Sequence, residues 1–213
     1  STLLLHLNGL LKGEGSVHIN GIPVKKPHIA EIRRKVGLVL QNPDDMLFCP
    51  TLEDDLSFGP LNMGLTPADA EKLIQRSLSL TGLDGMRKKP PHHLSQGEKR
   101  RASLAAVLVM DPEVLALDEP SSNLDPRGRR HLASILNSLD KTMILSSHDT
   151  ELILDICQRV VLLDKGRVVV EGLTQEIMAD EELMLAHGLE RPRSLLPSFS
   201  SPQSAKAFGS MRL

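Results

Sequence analysis

The 213-residue chain carries 25 Lys and Arg against 27 Asp and Glu, a formal net charge of −2, and 40% of its residues are apolar. That supports a sizeable core, and it leaves no global basic field for nucleic acid. The two cysteines, Cys49 and Cys157, match no zinc spacing, which suits a reduced cytosolic setting. No apolar run approaches the ~20 residues that span a bilayer, so any membrane role is peripheral.

Taken in order, Leu3, Leu4, Leu5 and Leu7 are dense enough to predict a buried helix ending at Asn8-Gly9. Val17-His18-Ile19 and Ile22-Pro23-Val24 flank Asn20-Gly21, the dipeptide of a tight hairpin turn. Ile29 to Arg34 suits a short helix. Val36 to Leu40 reads as a buried strand, terminated by Gln41 and the turn Asn42-Pro43-Asp44-Asp45. Thr51 caps a helix with acids in its first turn. Thr66-Pro67 opens the next, with Ala70, Leu73, Ile74 and Ser77 on one face and Gly82 as its stop. Arg87 to His93 is a polar loop, where the adjacent His92 and His93 diverge and make a poor metal pair.

The stretch Leu94 to Asp125 carries the chemistry. Ser95 and Glu98 form a capping box, and Gly97 leaves the backbone open at the positive end of the helix dipole, where an anion can approach free amides. The helix runs from Glu98 to Met110 and stops at Asp111-Pro112. Of Lys99, Arg100 and Arg101, at least two are expected on a solvated face. Val114 to Leu117 is a buried strand that delivers Asp118 and Glu119 to its C-terminal end, where ligands gather in open α/β sheets. Neighbours alternate along a strand, so the two acids can take different jobs. Gly128 to Leu139 is helical, and Thr142 to Ser146 is another buried strand, ending at Ser147-His148-Asp149. Strand, helix, strand is a right-handed parallel crossover, which brings His148 to the edge that holds Asp118 and Glu119. Glu151 to Ile156 is helical, and Val160 to Leu163 pairs with Val168 to Glu171 across Asp164-Lys165-Gly166. Thr174 caps a final helix to about Ala186. From Arg191 onward, six serines among 23 residues predict a flexible tail.

Leu94-Ser95-Gln96-Gly97-Glu98, Leu117-Asp118-Glu119-Pro120, Asn123-Leu124-Asp125 and Ser147-His148-Asp149 resemble, in that order, four motifs of ABC-type ATPases. These are the signature motif, the Walker B strand with its catalytic glutamate, the D-loop and the switch histidine. Val39 to Pro43 resembles the Q-loop. Leu3 to Leu11 resembles the helix after a Walker A loop, with Ser1-Thr2 as the end of Gly-Lys-Ser-Thr. The resemblance covers residues 1–190 and implies an α/β fold with a P-loop NTPase-like parallel sheet and a helical subdomain over residues 50–110. Gln41-Asn42-Pro43-Asp44-Asp45, Phe58-Gly59-Pro60-Leu61-Asn62 and Asp125-Pro126-Arg127-Gly128 are similar to the ATPases of energy-coupling-factor and cobalt/nickel importers. Gln96 departs from the usual Leu-Ser-Gly-Gly, and Met46 stands where that family often carries Gln.

The resemblance also implies roles, with ATP and Mg²⁺ as cofactors. Asp118, Ser1 and Gln41 would hold Mg²⁺, and Ser1, Thr2 and Gln41 would contact the chain's own ATP. Glu119 would orient or deprotonate the attacking water, and His148 would contact the γ-phosphate. Ser95, Gln96, Gly97 and Asp125 would meet the nucleotide of a second ATPase subunit, identical or paralogous, in a head-to-tail pair. Such phosphoryl transfer is mostly positioning and charge stabilisation. A transmembrane transporter subunit would be reached through residues 42–64 on the cytoplasmic face of the membrane, with cobalt, nickel or a vitamin as cargo.

A P-loop needs glycines and a lysine to cradle the β- and γ-phosphates, and no such run precedes Ser1. The expectation is a chain without its N-terminal strands and P-loop, either as a fragment or from a truncated gene, and unable to bind its own ATP normally. Two rivals stay open: a non-transport ABC protein acting on chromosomes or ribosomes, and a non-catalytic interaction fragment. The short interval from Gln41 to Ser95 suits a compact helical subdomain rather than the long arms of the chromosome-acting kind.

Overall fold

Residues 1–196 are described by a computed structural model. The chain opens with α1 (Thr2–Leu7), the hairpin β1 (His18–Ile19) and β2 (Ile22–Pro23), then α2 (Ile29–Lys35) and β3 (Val36–Val39). Asn20 and Gly21 sit at φ 49° and 78°, the left-handed pair that a two-residue hairpin turn requires. In α1 only Leu4 is fully buried, while Leu3 is 57% exposed, so the expected buried helix is buried along one stripe alone. A helix this short offers the sheet a single row of side chains.

β3, β4 (Val114–Asp118) and β5 (Thr142–Ser146) form a parallel sheet in that order, with Leu117 opposite both Val39 and Leu145. Every residue of the central β4 is buried, as its unbroken apolar run predicts. β5 differs from expectation. Like β3 it is an edge strand, but unlike β3 it is largely uncovered, and Ile144 on it is 38% exposed. Its residues and those of β6 (Arg159–Asp164) line a groove of about 800 Å³. β6 pairs antiparallel with β7 (Arg167–Leu173) in a separate sheet, across a turn at Lys165 and Gly166.

Between β3 and β4 lie α3 (Leu52–Asn62), α4 (Pro67–Thr81) and α5 (Gln96–Leu108). Their ends are where side-chain chemistry puts them. The Thr51 and Thr66 hydroxyls accept from the Asp54 and Asp69 amides at 3.3 and 3.2 Å, and Gly82 stops α4 at φ 64°. Leu56, Ile74, Leu78, Leu83, Ala102 and Ala105 share one core. Further along α5, Leu104, Val107 and Leu108 pack instead with Val39, Leu115 and Leu117 of the sheet. Helix α5 therefore belongs to both cores. Gly37 permits its approach, because a Cβ there would run into Val107 and lie 2.8 Å from Pro112 Cγ.

Several element boundaries differ from expectation, and α5 itself spans Gln96–Leu108, two residues earlier at each end than expected. α6 (Pro126–Asn137) starts two residues early because Asp125 caps it, accepting from the Gly128 amide at 2.6 Å. The final helix is two, α8 (Thr174–Ala179) and α9 (Glu181–Ala186), since Asp180 breaks the run and caps the second by accepting from Leu183 N at 2.9 Å. Thr174 does not cap α8; its hydroxyl is buried and Leu173 holds the N-cap position. The segment expected to begin the tail packs back, with a turn at Arg193–Leu195 and the Ser194 hydroxyl donating to Glu151 at 2.6 Å. Glu151 lies on α7 (Thr150–Ile156). Residues 197–213 of that tail lie outside the described residues.

Candidate active site

Parallel pairing puts the C-terminal ends of β3, β4 and β5 on one edge, and each strand hands over there to a loop that carries a candidate site residue. Gln41 follows β3, Glu119 follows β4 and His148 follows β5. Glu119 leaves its strand at φ 44°, a left-handed conformation that costs a glutamate on the order of 1–3 kcal/mol. Its amide donates to the Ser146 carbonyl at 2.8 Å, which pins the turn. The carboxylate then reaches across to the end of β5. Oε2 lies 2.9 Å from His148 Nδ1 and accepts from Ser147 Oγ at 3.2 Å, while Oε1 accepts from the His148 amide at 3.1 Å. The Glu119 side chain is 17% exposed and that of His148 75%. The pair is anchored at the carboxylate and open to solvent at the imidazole.

Asp118 is buried beside this pair. Its Oδ1 makes no hydrogen bond, although the Ser1 amino nitrogen lies 3.3 Å away. A buried carboxylate oxygen without a donor is costly unless a cation meets it. With the exposed Gln41 amide on the same edge, the orphaned Asp118 oxygen belongs to a hard-oxygen set, the kind that suits Mg²⁺. Thr2 stands in the first turn of α1, and its side chain makes no hydrogen bond among the described residues.

The signature segment stands apart from that group. Ser95 Oγ accepts from the Glu98 amide at 3.3 Å, and Glu98 Oε2 accepts from the Ser95 amide at 2.7 Å, completing the expected capping box. The Ser95 amide is the main cause that holds the Glu98 carboxyl below its usual range. Ser95, Gln96 and Gly97 share no hydrogen bond with Asp118, Glu119 or His148 among the described residues. Gly97 instead faces Leu124, and the Asp125 carboxylate that follows is engaged in the α6 cap.

The basic run on α5 corrects the expected solvated face. Lys99 pairs with Asp44 at 2.6 Å, Arg101 Nε donates to the Thr81 carbonyl at 3.0 Å, and Arg100 is fully buried. A signal was present: Arg100 precedes Leu104 and Leu108 by four and eight positions, so helical spacing puts it on the buried stripe. Ser147, which holds the Glu119 carboxylate, carried no such signal.

A parallel α/β core with two carboxylates and a histidine at the strand ends, joined to a helical unit with an exposed helix N-terminus, defines a nucleotide-hydrolysing cassette. The family model described as ABC transporter matches residues 1–122. Over 193 residues the chain is 51% identical to a Streptomyces avermitilis protein named as an ABC transporter ATP-binding protein, covering 90% of this chain and 74% of that one. Over 199 residues it is 43% identical to the energy-coupling factor transporter ATP-binding protein EcfA of Methanocaldococcus jannaschii, covering 91% and 71%. Among solved structures, CbiO1 from Clostridium perfringens, part of the ABC transporter complex CbiONQ, matches with a TM-score of 0.77 at 34% identity, covering 87% of this chain and 76% of that one. The chain belongs to the ABC transporter ATP-binding family, a family of ATPases.

Proposed function

We propose that this protein is the ATP-hydrolysing subunit of a membrane importer of the energy-coupling class, with cobalt, nickel or a vitamin as cargo. Its likeness to EcfA and CbiO1 supports the class. The observation that carries the catalytic reading is the contact between Glu119 and His148 at 2.9 Å, beside the buried Asp118. In this reading Glu119 orients the attacking water and takes its proton, and His148 meets the γ-phosphate from its exposed side. Asp118, Ser1 and Gln41 would hold Mg²⁺, which when bound offsets the charge on the phosphate oxygens. Ser1, Thr2 and Gln41 serve the chain's own nucleotide. Ser95, Gln96, Gly97 and Asp125 serve the ATP of a second ATPase subunit, a copy or a paralogue, in a head-to-tail pair.

The membrane partner docks on residues 42–64. Phe48 and Phe58 are 66% and 53% exposed, with ring centroids 5.2 Å apart and nearly perpendicular. Leu61 on the same helix is also exposed. An apolar cluster held out in water supports a docking role. Among the described residues no helix is long and apolar enough to cross a membrane, which fits a seat on the cytoplasmic face of a transmembrane subunit.

Turnover of MgATP by the whole protein with Glu119→Gln tests the catalytic assignment. The expected result is a loss of at least about 100-fold with nucleotide binding retained. Undiminished turnover would remove Glu119 from the role.

A further inference from the structure

Helix α5 carries a buried cation that this chemistry does not use. Arg100 is 3% exposed, and its guanidinium reaches three main-chain carbonyls. Nη1 donates to the Leu40 carbonyl at 3.2 Å and to the Gln41 carbonyl at 2.6 Å, and Nη2 donates to the Ser122 carbonyl at 3.2 Å. Those carbonyls belong to two different loops, one leaving β3 and one leaving β4, and both loops border the site. A neighbour on the same helix ties down one of these loops as well, since Lys99 pairs with Asp44. Burial pushes the Arg100 guanidinium below its usual pKa, against the opposing fields of Asp118 and Glu119. An apolar side chain would fill this place without that desolvation cost, which argues that the donors matter. A planar fork can serve two separate loops at once, whereas a point-charge ammonium has no such geometry.

We infer that Arg100 is a positioning residue: through the carbonyls of Leu40, Gln41 and Ser122 it locks the Gln41 loop, the Ser121–Asp125 loop and the signature end of α5 into one unit. A push on the Gln41 loop then reaches both half-sites together. Arg100 touches no reacting atom. The inference rests on the proposed assignment of those loops to nucleotide and partner, but its mechanical content is testable without ATP. Amide hydrogen exchange on the whole protein, for wild type, R100Q and R100K, reads it directly. In R100Q, exchange in residues 40–47 and 121–125 is expected to accelerate at least about tenfold together, with the β6–β7 hairpin unchanged. In R100K, which keeps the charge and loses the fork, protection is not expected to return to both segments. The ATP kcat of both variants should fall while KM changes little. Wild-type protection of both segments in either variant would overturn the proposal, and so would loss of protection across the whole fold. If the wild-type protein hydrolyses no ATP, the hydrolysis reading fails, and the exchange result still judges Arg100.

Discussion

Glu119 shows how much a single backbone angle decides. At φ 44° the chain turns sharply off β4, so the two consecutive acids diverge: Asp118 stays buried and Glu119 swings to His148. Their adjacency and the crossover to His148 were readable in the sequence, because a parallel strand-helix-strand unit has one hand. The strained angle and the Ser147 contact were not, since both depend on the neighbouring strand's position. Two other positions carry local tests. Gly37→Ala would drive a methyl into Val107 and Pro112, and an unfolding titration should show a loss of about 1–3 kcal/mol. Ser95→Ala leaves the Glu98 amide without its cap, and the same titration should show about 1 kcal/mol.

Among the elements, the helical unit is held together at its rim by charge. Arg87 donates to Glu53 on α3 at 2.8 Å and to Glu71 on α4 at 2.6 Å, and Lys88 pairs with Glu53 as well. The hydrogen bond from Arg87, then that from Lys88, lowers the Glu53 carboxyl to about 2. Because the folded pKa lies below the unfolded value of about 4.3, the stabilisation is complete above that value and disappears as the pH falls through about 2. Arg87→Met is expected to return the Glu53 carboxyl toward the ordinary range in an NMR titration, and an unchanged pKa would show that the pairing is not responsible. Helix starts at Thr51, Thr66 and Ser95, the stop at Gly82 and both hairpin turns were legible, because a cap or turn is decided within a few residues. The exposure of β5, the single buried stripe of α1 and the docking of Ser194 were not. Each depends on what packs over the element, and periodicity carries no information about that.

For the molecule as a whole, α5 joins the helical core to the sheet core, and the exposed Phe48–Phe58 pair sits at the far end of the segment that begins at Gln41. In the proposed docking, a partner gripping those rings would pull on a loop that ends at the site. Replacing both rings with Ala should weaken association with the transmembrane partner at least about thirtyfold in a binding titration, the effect of losing an aromatic hot spot. Unaltered association would move the docking surface elsewhere. The central claim is that Glu119 and His148 act as one hydrolytic unit, and a double-mutant cycle on the ATP turnover of the whole protein tests it most directly. Glu119→Gln and His148→Ala should each slow turnover, and the double variant should be no slower than the worse single one, because residues that act together are lost together. Losses that multiply, or a Glu119→Gln protein that turns over ATP at the wild-type rate, would contradict it.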